Sequence, residues 1–190
     1  MKSKVISILG LGYIGLPTAA MFASHKQNVC GVDVDKNIVD LVNSGKIHIV
    51  EPGLEALVKE SVKGRYLLAS LEVEPADVYI IAVPTPFLPL SSSGFTPEPD
   101  LSYVKAASHS ISKVLKKGDL VILESTSPVG TTEKLASWLA EERSDLTFPL
   151  THGENSDVRV AYCPERVLPG QIIRELIDND RIIGGLTDSC

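Results

Sequence analysis

Gly10, Gly12 and Gly15 have the spacing of a turn that grips a phosphate. In such a G-x-G-x-x-G the first glycine permits a tight turn, and the second lets a pyrophosphate approach the backbone. The third lets helix and strand pack closely. The helix that follows presents free amides and a partial positive charge to an anion, and Tyr13 and Ile14 are placed to donate theirs. Asp33 comes eighteen residues after Gly15, at the end of a second apolar run. A carboxylate there accepts hydrogen bonds from ribose hydroxyls and repels a 2′-phosphate, which favours NAD over NADP. Lys36 is the nearby cation that keeps NADP open. A plainer reading stands beside this one: a glycine turn with a strand-end aspartate facing water.

Three later loops carry further candidates. Thr85, between Pro84 and Pro86, can bond a ribose or phosphate oxygen, or sit idle in a rigid loop. Thr126, in Glu124-Ser125-Thr126-Ser127-Pro128, can position a water or a carboxamide at the reacting end of a cofactor. Thr131 after Gly130 reads more readily as a helix cap. Glu165, after Pro164, offers a carboxylate that can orient water or move protons. Arg166 can meet a substrate phosphate; the plainer alternative is that the two form an ordinary surface ion pair. Cys163 reads as a small buried residue. His48 reads more readily as packing than as a substrate contact, and His25, His109 and His152 have no metal spacing.

These residues need elements to place them. Lys4–Leu9, Val29–Val34, Tyr66–Ala69, Val78–Val83, Leu120–Leu123 and Val158–Tyr162 read as strands, with a last one at Arg181–Ile183. Helices are expected over Ile14–Lys26, Lys36–Ser44 (capped by Asp35), Leu54–Val62, Asp100–Lys116, Thr131–Glu142 and Gln171–Ile177. PTPFLPLSSSGFTPEP, residues 84–99, is read as a long loop without regular structure, and 144–156 as irregular. Alternation of apolar strands with helices predicts an α/β fold: a doubly wound, mostly parallel sheet of Rossmann type with helices on both faces. Ligands of such sheets bind at the carboxyl ends of the strands, where every candidate above lies.

Composition sets outer bounds. The 190 residues carry a formal charge of −6, which argues against a nucleic-acid partner. The apolar runs are too short to span a membrane. The N-terminal stretch resembles a secretory signal only superficially, since three glycines interrupt it. Cys30, Cys163 and Cys190 have neither disulfide parity nor metal spacing, so a cytoplasmic setting is expected and no metal.

Taken in order, GLGYIGLP, GVDVD, IHIVEPGLE, AVPTPF, ESTSPVGTTEKLA and YCPERVLPG resemble the nucleotide-sugar 6-dehydrogenases, the UDP-glucose/GDP-mannose dehydrogenase family. Within it, the motifs are most similar to members that act on UDP-N-acetyl-D-mannosamine. The resemblance implies oxidation of a UDP-sugar C6 alcohol to the carboxylate with NAD, in the synthesis of surface polysaccharide. It implies cofactor contacts at Gly10, Gly12, Tyr13, Ile14, Gly15, Asp33, Thr85 and Thr126, and water handling by Thr126 and Glu165. It implies substrate contacts at Glu165, Arg166 and Val167. Glu124 stands where many members have Lys and receives no role. Leu90–Thr96 looks like an insertion.

The family carries its nucleophilic cysteine in later segments, beyond a central helix. That cysteine takes the aldehyde as a thiohemiacetal and then a thioester. Residues 1–190 are therefore expected to form the NAD-binding domain, without the central helix and the sugar-binding domain. Such a piece would bind NAD without turning over by itself. Full-length members are expected to be homodimers; the oligomeric state of this piece stays open. A free-standing NAD-binding or sensing module, or a 6-dehydrogenase of another nucleotide sugar, is the alternative.

Overall fold

The structure is a computed structural model and describes residues 4–89 and 97–190. The segment read as an insertion falls outside them. Among the described residues, seven strands form one sheet: β1 (Val5–Leu9), β2 (Asn28–Val32), β3 (Leu67–Ser70), β4 (Val78–Ile81), β5 (Leu120–Leu123), β6 (Arg159–Tyr162) and β7 (Gly184–Gly185). The order is β3-β2-β1-β4-β5-β6-β7. The first six pair in parallel, and β7 runs antiparallel to β6. The chain winds outward from β1 to β3, then returns to start β4 on the other side of β1. That reversal opens a crevice at the carboxyl ends of β1 and β4, the usual ligand site of a doubly wound sheet.

Period-two patterning splits the strand side chains between two apolar layers. Ile6, Ile8 and Ile80 pack with Leu16, Ala19, Ala20, Ala23, Val39, Val42, Leu54 and Val58. These come from helices α1 (Gly15–Ser24), α2 (Lys36–Asn43) and α3 (Leu54–Lys63). Leu9, Tyr79, Ile81, Val121 and Leu123 face the other way, onto Val104, Ile111, Leu135 and Leu139. Those belong to α4 (Ser102–Ser112) and α5 (Thr131–Glu142). Two short helices complete the chain, α6 (Pro149–His152) and α7 (Ile172–Asp178).

Most differences from the sequence reading have long-range causes. α4 stops at Ser112, short of Lys116, because Arg143 donates Nη1 to the carbonyls of Ser112 (2.9 Å) and Leu115. Asp119 then takes the Lys116 amide at 2.9 Å and turns the chain into β5. Residues 144–156 hold α6 and a 3-10 turn, Gly153–Asn155, where irregular chain was expected. Asp157 closes that stretch by accepting from the amide and hydroxyl of Thr147. The proline-rich loop is also more ordered than expected at its described ends. Leu88 donates to the Glu98 carbonyl at 2.7 Å, and Asp100 to the Pro86 carbonyl at 2.6 Å. Prolines cannot donate there, but their carbonyls still accept. The last strand is Gly184–Gly185 instead of Arg181–Ile183, and Arg181 has a different use.

Candidate functional site

The glycine turn is built by close contact. Gly10 has φ +91°, and a Cβ on it would lie 2.6 Å from the Ala82 carbonyl oxygen at the end of β4. A Cβ on Gly15 would lie 1.8 Å from the Gly10 carbonyl oxygen. Gly12 differs: nothing lies within 4 Å of its Cβ position. The Tyr13 and Ile14 amides make no hydrogen bond to any described residue. The turn therefore presents unpaired donors over open space at the positive end of α1, as an anion requires.

Asp33 is tied to that turn. Its Oδ2 accepts from the Leu11 amide at 2.8 Å and its Oδ1 from the Asp35 amide at 3.0 Å. Each oxygen keeps lone pairs for a further donor such as a ribose hydroxyl. Asp35 caps α2 through the Asn37 amide, as the sequence suggests. Lys36 pairs with Asp40 at 2.5 Å, one helical turn on. The donors, the open space and the anchored carboxylate together fit a dinucleotide diphosphate with an unphosphorylated ribose.

On the other side of the crevice the loops after β4 and β5 are bonded to each other. The Thr85 hydroxyl donates to the Thr126 carbonyl at 2.7 Å, and the Ser125 hydroxyl to the Val83 carbonyl at 2.7 Å. The Thr126 side chain is exposed above that joint. Gly130, not Thr131, sits at the N-cap of α5, and the Thr131 hydroxyl donates backward to the Pro128 carbonyl.

Leu123 pairs with Tyr162 across β5 and β6, so Thr126 and Glu165 each follow three residues beyond a paired strand end. The loop after β6 is pinned from elsewhere. Glu175 accepts from the Leu168 amide at 2.7 Å, and buried Glu51 from the Gly170 amide at 2.8 Å. Arg166 is exposed and Val167 half-buried. Glu165 does not pair with the Arg166 guanidinium, so the ordinary surface pair is corrected. Its Oε1 accepts from the Arg166 backbone amide at 2.7 Å, and its Oε2 from Arg181.

Sequence reasoning missed two residues here. Arg181 also donates to Glu124 at 3.2 Å, and the Glu124 side chain is only 3% exposed. Burial pushes the Glu124 carboxyl up to about 7, against the pull of Arg181. Neither residue has a local sequence signal, since their partners lie 57 and 16 positions apart along the chain. Cys163 is buried, as expected, and Arg181 Nη1 stands 3.8 Å from its Sγ. No cluster of three or more metal-ligating side chains occurs among the described residues. No helix among them is long and apolar enough to cross a membrane.

A parallel sheet with a glycine turn at its switch point and an acid closing the next strand defines a dinucleotide-binding domain. Residues 4–190 match the UDP-glucose/GDP-mannose dehydrogenase family, NAD binding domain, and the chain belongs to that family. It is 64% identical over 185 residues to UDP-N-acetyl-D-mannosamine dehydrogenase of Campylobacter jejuni, covering 97% of this chain and 44% of that one. It is 58% identical to NDP-N-acetyl-D-galactosaminuronic acid dehydrogenase of Ralstonia nicotianae, covering 98% and 43%. Among solved structures, UDP-N-acetyl-mannosamine dehydrogenase of Staphylococcus aureus superimposes with a TM-score of 0.87 at 40% identity, over 98% of this chain and 42% of that one. The chain thus spans less than half the length of the curated relatives it matches. NAD is the cofactor of the matched domain.

Proposed function

We propose that residues 1–190 are the NAD-binding domain of a nucleotide-sugar 6-dehydrogenase working in the cytoplasm. Its substrate would be UDP-N-acetyl-D-mannosamine, oxidised at C6 to the uronate for surface polysaccharide. Full-length protein would be a homodimer. One observation carries the reading: unpaired Tyr13 and Ile14 amides over an open Gly12, beside an Asp33 anchored at the next strand end. Identity to relatives of that name supports the substrate.

NAD held here, two molecules in succession, would supply the acceptor for the two hydrides that leave C6 on the way to the carboxylate. Tyr13 and Ile14 would hold its diphosphate through their amides, and Gly10, Gly12 and Gly15 would let it approach. Asp33 would accept from the adenosine ribose and disfavour a 2′-phosphate by charge repulsion. Thr85 would fix the loop over the cofactor and Thr126 would help orient the water. Glu165 would hold that water and take its proton, with Arg166 and Val167 on the substrate side.

Calorimetry on this chain tests the cofactor half. Saturable NAD binding is expected, with NADP much weaker. Loss of one charge-assisted bond in Asp33→Ala should weaken NAD roughly ten- to a hundredfold. Equal affinity for NAD and NADP overturns the assignment of Asp33. For the substrate half, full-length protein should oxidise UDP-N-acetyl-D-mannosamine in preference to UDP-glucose. The reverse preference assigns it to another nucleotide sugar.

A further inference from the structure

Two carboxylates at the ends of neighbouring strands share one cation. Arg181 reaches them from the segment after α7, with Nη1 on Glu124 Oε1 at 3.2 Å and Nη2 on Glu165 Oε2. Both carboxylate side chains are more than nine-tenths buried, at 3% and 7% exposure, and Arg181 is 31% exposed. Among the described residues, Glu165 otherwise holds only its neighbour's amide, through Oε1. A single local hydrogen bond does not fix a three-torsion side chain; a second, charge-assisted one does. The guanidinium itself ends a long flexible side chain, and it needs an anchor before it can fix anything else. Glu124 supplies that anchor from the end of β5. Its Oε1 also faces the Thr18 hydroxyl of α1 at 3.5 Å, and its Oε2 is buried without a partner.

We infer that Arg181 is the positioning residue of the Glu165 carboxylate, and that Glu124 is the anchor that holds the guanidinium in place for it. This rests on the reading of Glu165 as the carboxylate that handles water. Stability alone gives little reason for the arrangement. Two desolvated carboxylates on one cation cost more than a single buried pair, and an apolar set of the same volume would cost less still. The cost shows at Glu124, whose carboxyl burial pushes up to about 7 against the pull of Arg181, with the Glu165 charge raising it further. The titratable groups facing it are Arg181, Glu165 and the Cys163 thiol that the same guanidinium touches; α1 contributes only Thr18.

The test uses Arg181→Met, Arg181→Lys, Glu124→Gln and Glu165→Gln, with two readouts. Carboxyl carbon shifts of 13C-glutamate-labelled protein follow the Glu124 titration, assigned by its disappearance in Glu124→Gln. From a midpoint at about 7, it should rise in Arg181→Met, where an attracting charge is lost. It should fall in Glu165→Gln, where a repelling charge is lost. Turnover of the full-length protein is the second readout. Arg181→Met should lower kcat roughly ten- to a hundredfold, the cost of a misplaced catalytic group, with KM for the UDP-sugar within about twofold. Arg181→Lys should recover part of the loss and remains informative if the methionine variant does not fold. Two outcomes overturn the inference: a Glu124 titration that neither variant moves, or full kcat in both Arg181 variants while Glu165→Gln is inactive. If Glu165→Gln itself turns over normally, the reading of Glu165 falls, and the inference that depends on it falls too. The titration then still reports whether the bridge exists.

Discussion

The glycine turn and the carboxylate cluster lie along the same edge of the sheet and are built in opposite ways. The turn is backbone, contained within residues 10–15, with its Tyr13 and Ile14 donors unspent and its middle glycine open. The cluster is side chains drawn from Thr18, Glu124, Glu165 and Arg181, and its charges are largely spent on one another. A site that must receive a polar ligand leaves groups unpaired toward solvent. A site that must hold a reacting group still pairs the groups that fix it. The two also fail differently. The turn is damaged by adding atoms and the cluster by removing them.

Gly15→Ala tests the first half of that contrast and should have the largest effect. Its Cβ would meet the Gly10 carbonyl oxygen at 1.8 Å, a backbone atom that cannot step aside. A cost of about 3 kcal/mol or more is expected, beyond ordinary overpacking, or a fall of at least roughly 6–12 °C in thermal midpoint. Thermal unfolding followed by circular dichroism measures it. An unchanged midpoint would mean that the helix and turn are not in this contact.

The contrast also explains what could be read from the sequence. Gly10, Gly12, Gly15 and Asp33 announce themselves because the glycines are close in sequence and the geometry they need excludes other residues. Asp35 and the strand ends carrying Thr126 and Glu165 were legible from local pattern too, whereas the cap of α5 was read one residue late, at Thr131 instead of Gly130. Arg181 was not. It looked like the start of a strand because Ile182 and Ile183 follow it, while its partners sit 16 and 57 residues away. Nor was the early end of α4, which an arginine on another element imposes. Glu165 was singled out without its partner, since Arg166 is next in sequence and Arg181 is next in space. Local backbone chemistry leaves a pattern in the sequence, whereas a side-chain network closed by tertiary contact leaves only residue types.

Glu124 sharpens the second half through pH. Its carboxyl titrates at about 7 in the folded protein, against an ordinary value of 4.5. A raised folded value means that the native state binds the proton more tightly than the unfolded chain does. That contribution to stability is fully present below about 4.5 and is lost as pH rises through about 7. The stability advantage of wild type over Glu124→Gln, whose amide does not titrate, should therefore shrink across that window. The change should be on the order of 3 kcal/mol at most, or up to roughly 6–12 °C in thermal midpoint. A difference that is flat with pH would show that Glu124 is hydrated and outside the cluster.

Gly12→Ala should change stability least, and for that reason it separates binding from folding most cleanly. Gly10 and Gly15 are required by contacts inside the protein, so their loss is felt with or without a ligand. A Cβ on Gly12 would meet nothing within 4 Å, and its φ lies outside the left-handed region that L side chains avoid. A methyl group there should leave the thermal midpoint unchanged within about 0.5 kcal/mol, as at an ordinary surface position. The same methyl would stand where a diphosphate must approach the Tyr13 and Ile14 amides. NAD affinity should then fall at least about tenfold, equivalent to about 1.4 kcal/mol. Calorimetry and thermal unfolding on one preparation give both numbers. Unchanged affinity in a stable variant would mean that the diphosphate lies elsewhere, and the unpaired amides would need another ligand. Lost stability with unchanged affinity would reverse the distinction between the glycines and make Gly12 a structural residue like its neighbours.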